Sequence, residues 1–91
     1  MKRVMLSKLA SDDAQKLMEI DALISTYDSL LLNQFINEAE RLDIISKNKV
    51  ARENRTQLMK RISKKYSLPF IVGKCYVSPE TKELYTYIYN E

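Results

Sequence analysis

The sequence predicts an α+β fold that is mainly helical, with two or three helices followed by a two-stranded antiparallel β-hairpin. No glycine or proline occurs between positions 11 and 68, and apolar residues recur there at helical spacing. The last twenty residues are instead rich in β-branched and aromatic side chains. A chain of 91 residues allows one domain. Within it we expect an N-terminal arm (1–10), an acidic helical region (11–43), a basic helix (47–67) and a β-hairpin (70–90).

The acidic helical region has a start signal and an apolar stripe. Ser11 is placed to cap the helix, and Asp12 and Asp13 follow in the first turn, where the helix dipole favours acids. The stripe predicts one helix of about thirty residues, or two with a joint near 25–29, where Ser, Thr and Asp compete for backbone hydrogen bonds. Its members repeat at steps of three and four: Leu17, Ile20, Ile24, Tyr27 and Leu31.

The basic helix should follow a break. The segment Asp43–Lys49 is the expected break, because Ser46 or Asn48 could cap what comes next. Pro69 disfavours helical geometry at the residue before it and should end the helix near position 66.

The C-terminal residues predict the hairpin. Ser78–Lys82 forms its turn, with Pro79 suited to the first central position. Alternation places Leu84 and Ile88 on one face of the strand. The opposite face carries a tyrosine row of Tyr85, Tyr87 and Tyr89, with Tyr76 on the partner strand.

Charge is distributed unevenly along the chain. Residues 12–43 hold eight acids and two bases, whereas residues 47–65 hold eight bases and only Glu53 as an acid. A basic helical face binds phosphate well, because each neutralised phosphate releases condensed counterions. The alternatives are a face that pairs with an acidic helix of the same fold or of a partner chain, and a plain solvated face. The candidate nucleic-acid-binding residues are Lys47, Lys49, Arg52, Arg55, Lys60, Arg61, Lys64 and Lys65.

The order of elements adds a preference between nucleic acids. Helices, a basic helix and a hairpin follow one another as in a winged helix-turn-helix that lacks its first strand. In that arrangement residues 47–66 would enter the major groove, so DNA is slightly preferred over RNA. Element order alone does not fix function.

Two apolar features predict protein contacts. The long apolar stripe favours a homodimer, since a short chain offers little else to cover it. The tyrosine row could cover the sheet by cross-strand pairing, contact a protein, or stack on bases. The candidate interface residues are therefore Leu17, Ile20, Ile24, Tyr27, Leu31, Tyr85, Tyr87 and Tyr89.

Composition argues against other classes. The chain has no histidine and a single cysteine, Cys75, which argues against a zinc site and excludes an intramolecular disulfide. No nucleophile motif or glycine-rich phosphate loop occurs, and no apolar run is long enough to span a membrane. We therefore expect a cytoplasmic, non-enzymatic nucleic-acid-binding regulator without a cofactor. The alternative is a protein-binding modulator, such as an inhibitor, antidote or adaptor of the kind that phages and mobile elements encode.

Overall fold

The computed structural model describes residues 2–68 and 75–88. Two long helices are followed by two strands that form a small antiparallel sheet with an N-terminal strand, which confirms the α+β class. The elements in chain order are β1 (Lys2–Lys8), α1 (Ser11–Leu31), α2 (Glu38–Lys65), β2 (Tyr76–Val77) and β3 (Glu83–Ile88).

The sheet has three strands rather than two. Its order is β1-β3-β2, and both neighbours of the central strand β3 are antiparallel to it. The expected N-terminal arm over 1–10 is therefore wrong, since Lys2–Lys8 form β1 and Val4 pairs with Thr86. A register shift between Met5 and Ser7 interrupts the alternation of this strand, as a β-bulge does.

The turn between β2 and β3 lies where the sequence placed it. Lys82 donates its backbone N–H to the Ser78 carbonyl at 2.8 Å, and Ser78 donates to the Glu83 carbonyl at 2.9 Å. Lys82 has a φ of 59°, a left-handed conformation that lets the turn close. The part of the predicted hairpin at 70–74 and at 89–90 lies outside the described residues.

The two helices lie side by side and antiparallel. Their contacts run in inverse order, from Asp13 with Lys65, through Asp21 with Arg55, to Asp28 with Arg52. Helices in a helix-turn-helix instead cross steeply through a turn of a few residues. The chain therefore does not adopt the winged-helix arrangement. It does contain an N-terminal strand, β1, which the predicted order of elements lacked.

The break between the helices comes earlier than predicted. The expected break at 43–49 is wrong, because α2 runs unbroken through these residues. The possible joint near 25–29 is also wrong, because α1 continues through it. The chain turns instead between α1 and α2, where Asn37 caps α2 by accepting from the Glu40 backbone N–H at 2.7 Å. Arg41 donates to the Leu31 carbonyl at 2.8 Å and so satisfies an orphan acceptor at the end of α1.

The core lies where the sheet packs against the N-terminal half of α1 and the C-terminal half of α2. Leu17 and Leu84 are fully buried there, and Met59, Ile62 and Cys75 are nearly so. Leu84 and Thr86 point inward from β3, whereas Tyr85 and Tyr87 lie on the open face, as alternation predicts. The side chains of Ile88 and Tyr89 lie outside the described set.

Candidate nucleic-acid interface

All eight bases that the sequence singled out lie on α2. In the described residues they divide evenly into two groups. Four bases form an ion pair with an aspartate: Lys47 with Asp43, Arg52 with Asp28, Arg55 with Asp21 and Lys65 with Asp13. Three of these four pairs join α2 to the acidic helix α1.

The Asp28 site joins the two helices near the C-terminal end of α1. Arg52 contacts both carboxylate oxygens of Asp28, at 2.8 and 2.9 Å, and Asn48 donates to the same carboxylate at 2.8 Å. These hydrogen bonds lower the pKa of Asp28 below its ordinary value, and the bond from Arg52 has the larger effect. Asn48 was a candidate cap for a new helix, but it is buried within α2 and bound to α1.

Arg55 links three elements. Its guanidinium binds Asp21 of α1 and donates to the backbone carbonyl of Cys75 at 3.0 Å. Its side chain is only 19% exposed, so this pair is far better shielded than the Arg52 pair. Arg55 therefore stabilises the fold. Its shielded position does not favour the phosphate contact that the sequence predicted for it.

Asp13 is the centre of a network at the other end of the helical pair. Lys65 donates to it at 2.8 Å and the Tyr66 hydroxyl donates to it at 2.7 Å. These two hydrogen bonds lower the pKa of Asp13. The Tyr66 oxygen in turn accepts from the Ala10 backbone N–H at 2.7 Å. This network, and not the expected Ser11 cap, holds the start of α1, because Ala10 is the N-cap residue and no side chain caps the helix there.

The other four bases are exposed and have no ion-pair partner within residues 2–68 and 75–88. Lys49 and Lys60 point away from the core, whereas Arg61 and Lys64 line depressions beside Leu58. At helical spacing Lys49, Lys60 and Lys64 fall in one sector, which we call the lysine face. Glu53 lies in the same sector and is the acid nearest to it on α2. Lys49 and Lys64 are separated along the helix axis by about 22 Å.

A second candidate surface is the open face of the sheet. The rings of Tyr76, Tyr85 and Tyr87 contact one another, with centroids 5.6 to 5.9 Å apart. Arg3 of β1 places its guanidinium 3.8 Å from the centre of the Tyr85 ring. The rings thus pair across the strands, one of the three roles that the sequence left open for them. Arg3 was missed by sequence reasoning, because its strand was taken for an arm.

The candidate interface residues of α1 are placed differently from one another. Leu17 and Ile24 are buried inside the chain, at 0% and 9% exposure, so they are not available for a seam between two chains. Their stripe packs against α2 of the same chain. Ile20, Tyr27 and Leu31 are only half-buried and keep an accessible edge.

The turn between the helices carries a feature that the sequence analysis did not single out. Leu32 and Phe35 are 87% and 86% exposed, which makes them the most exposed of the large apolar residues described. Leu42, on the first turns of α2, is 61% exposed. Exposed large apolar side chains in one short segment can form a contact surface.

Two further observations concern other chemistry. Among the described residues, no group of three His, Cys, Asp or Glu side chains is arranged to hold a metal ion. No helix in the described part of the chain combines the length and apolar character needed to cross a membrane.

Comparison of the chain with protein-family models, with curated proteins and with solved structures gave no match.

Proposed function

We propose that this protein binds nucleic acid non-enzymatically, through phosphate contacts made by the lysine face of α2. One observation carries the proposal: among the described residues, Lys49, Lys60 and Lys64 share a solvent-exposed sector and no acid pairs with them. Ordinary helix surfaces intersperse the two signs of charge. Here three acids of α1 bind other bases of α2, and Glu53 offsets only part of the charge of the lysine face, which stays net positive.

The proposal is narrower than the sequence suggested. Arg52, Arg55 and Lys65 bind acids of α1, so we assign them to the fold rather than to phosphate. The preference for DNA over RNA also loses its basis, because it depended on a winged-helix arrangement that the antiparallel helices do not form. Lysines that contact phosphate alone bind both nucleic acids without reading sequence.

Binding of the whole chain to random duplex DNA and duplex RNA, measured over a series of salt concentrations, tests the proposal. Log affinity should fall linearly with log salt, with a slope of about −0.9 per phosphate contact on duplex DNA. The variant Lys49→Glu/Lys60→Glu should lose most of this affinity and reduce the slope by about two contacts. Circular dichroism should show an unchanged fold, because both side chains are exposed.

A matched control separates a local contact from the effect of net charge. The variant Lys2→Glu/Lys8→Glu changes the net charge by the same amount, at two exposed positions of β1. It should retain most of the affinity. Equal losses in the two variants would show a non-specific charge effect, and an absence of salt-sensitive affinity in the native protein would refute nucleic-acid binding.

A protein-binding modulator is the second candidate function, and the exposed turn favours it. Leu32 and Phe35 lie in the turn between the helices, where both side chains are almost fully exposed. A partner that binds there should be lost in the variant Phe35→Ser. Nucleic-acid binding should be unaffected by that substitution, which distinguishes the two functions.

A further inference from the structure

One face of the helical pair is covered by the sheet, and the opposite face is open. Asp21 of α1 and Arg55 of α2 border the sheet, since Arg55 bonds to the carbonyl of Cys75. On the open side a groove runs between the helices, and its apolar lining includes Ile20, Leu23 and Leu58.

The apolar lining continues along α1 as a stripe. Ile20, Leu23, Tyr27 and Leu30 follow one another at steps of three, four and three, the spacing of a coiled-coil seam. Leu23 is 43% and Leu30 is 39% exposed, and Ile20 and Tyr27 are half-buried. This stripe shares Ile20 and Tyr27 with the predicted one but does not contain its buried members, Leu17 and Ile24. We call it the open stripe.

The two ends of the open stripe differ in charge. At the Ile20 end, Lys16 and Arg61 line the groove, and Lys64 lines the adjoining depression. At the Leu30 end the antiparallel α2 contributes Glu40 and Asp43, both exposed. Lys47 pairs with Asp43 and offsets part of that negative charge, whereas Glu19 offsets part of the positive charge at the other end.

We propose that the open stripe is the surface through which two copies of this chain associate, antiparallel about a two-fold axis, into a four-helix bundle. In an isologous interface each copy presents the same patch, so the patch must complement itself. An antiparallel arrangement lays Leu23 of one copy near Tyr27 of the other. It also sets the basic end of each copy, with Lys16 and Arg61, against the acidic end of its partner.

The other possible pairing is unfavourable. A parallel arrangement would set Arg61 against Arg61 and Asp43 against Asp43, and like charges that face each other destabilise a contact. Of the lysine face only Lys64 lies beside the groove, and Lys49 and Lys60 point away from it, so the dimer leaves these two exposed. The inference therefore does not depend on the proposed function.

Sedimentation of the full chain at micromolar concentrations tests the interface. The native protein should be a dimer, and Leu23→Gln/Leu30→Gln should raise the dimer dissociation constant by about a hundredfold or more. The matched control is Leu32→Gln, at a more exposed leucine off the stripe, which should leave the dissociation constant unchanged. Thermal melts followed by circular dichroism will show that each variant is folded. A native monomer, or an equal effect of the control, would overturn the proposal.

Charge reversal tests the antiparallel direction independently of the apolar positions. Arg61→Glu alone and Asp43→Lys alone should each weaken the homodimer, because each places like charges in contact at both ends. A mixture of the two variants should form a heterodimer, since each end then pairs an acid with a base. Unchanged or tighter association of the Arg61→Glu homodimer would overturn the antiparallel arrangement.

Discussion

The Asp13 network allows a stability prediction that the structure makes quantitative. Asp13 accepts from the exposed Lys65 ammonium and from the partly buried Tyr66 hydroxyl. An exposed ion pair contributes less than about 1 kcal/mol, whereas a shielded hydrogen bond to a charged group contributes about 1.5–3 kcal/mol. We therefore expect Asp13→Ala to lower the free energy of unfolding by about 2 kcal/mol, most of it through Tyr66.

Urea denaturation at neutral pH measures this loss, and the melting temperature should fall by about 8–16 °C. Lys65→Met removes only the exposed partner and should cost less than about 1 kcal/mol. Tyr66→Phe removes the hydrogen bond to Asp13 and also leaves the Ala10 N–H without its acceptor, so it should cost as much as Asp13→Ala. Equal effects of the Lys65 and Tyr66 substitutions would refute this division of the energy.

The same network fixes a pH dependence. Because the pKa of Asp13 is lowered in the folded state, its contribution is fully present above the ordinary carboxyl pKa of 3.8. The contribution is lost as the pH falls below that value toward the folded pKa. Asp13→Asn should therefore flatten the stability profile in the acid range and leave its shape unchanged near neutrality. An identical acid dependence in the variant would contradict the assignment.

Two further predictions concern the helix contacts and the sheet. Arg55→Met should lower the free energy of unfolding by about 2 kcal/mol in urea titrations, because it removes the partly shielded guanidinium that binds Asp21 and donates to the Cys75 carbonyl. A loss below about 1 kcal/mol would show that water replaces the guanidinium. Tyr87→Ser, at a residue 41% exposed on the open sheet face, should change stability by less than about 0.5 kcal/mol. Unfolding of that variant would mean that the ring cluster is part of the core.

The sequence predicts local structure well where the signal is local. The helical period of α1, the Ser78–Lys82 turn and the alternation along β3 all depend on neighbouring residues, and the structure bears each of them out. The start of α2 also carried a local signal that was overlooked. Asn37 followed three residues later by Glu40 is a capping-box pattern, and it marks the start of that helix.

The missed elements depend on distant partners. β1 becomes a strand because it pairs with β3, more than seventy residues away, and its bulge disrupts the alternation that would have revealed it. From its neighbours in sequence alone, polar Asn48 indicates a break in the helix. It is nevertheless buried within α2, because Asp28 of α1 accepts its hydrogen bond. The uneven charge likewise predicted either phosphate binding or pairing with an acidic helix for the bases of α2. Only the folded chain shows which of these bases contact α1.

The strand order has a consequence for how the chain folds. The two helices adjoin in sequence, so they can pair as soon as the turn between them closes, at a small cost in chain entropy. β1 precedes both helices and its partner β3 follows both. Pairing β1 with β3 therefore closes a loop that contains both helices, which costs more chain entropy than closing the turn between them. We therefore expect the helical pair to form before the sheet that covers its core.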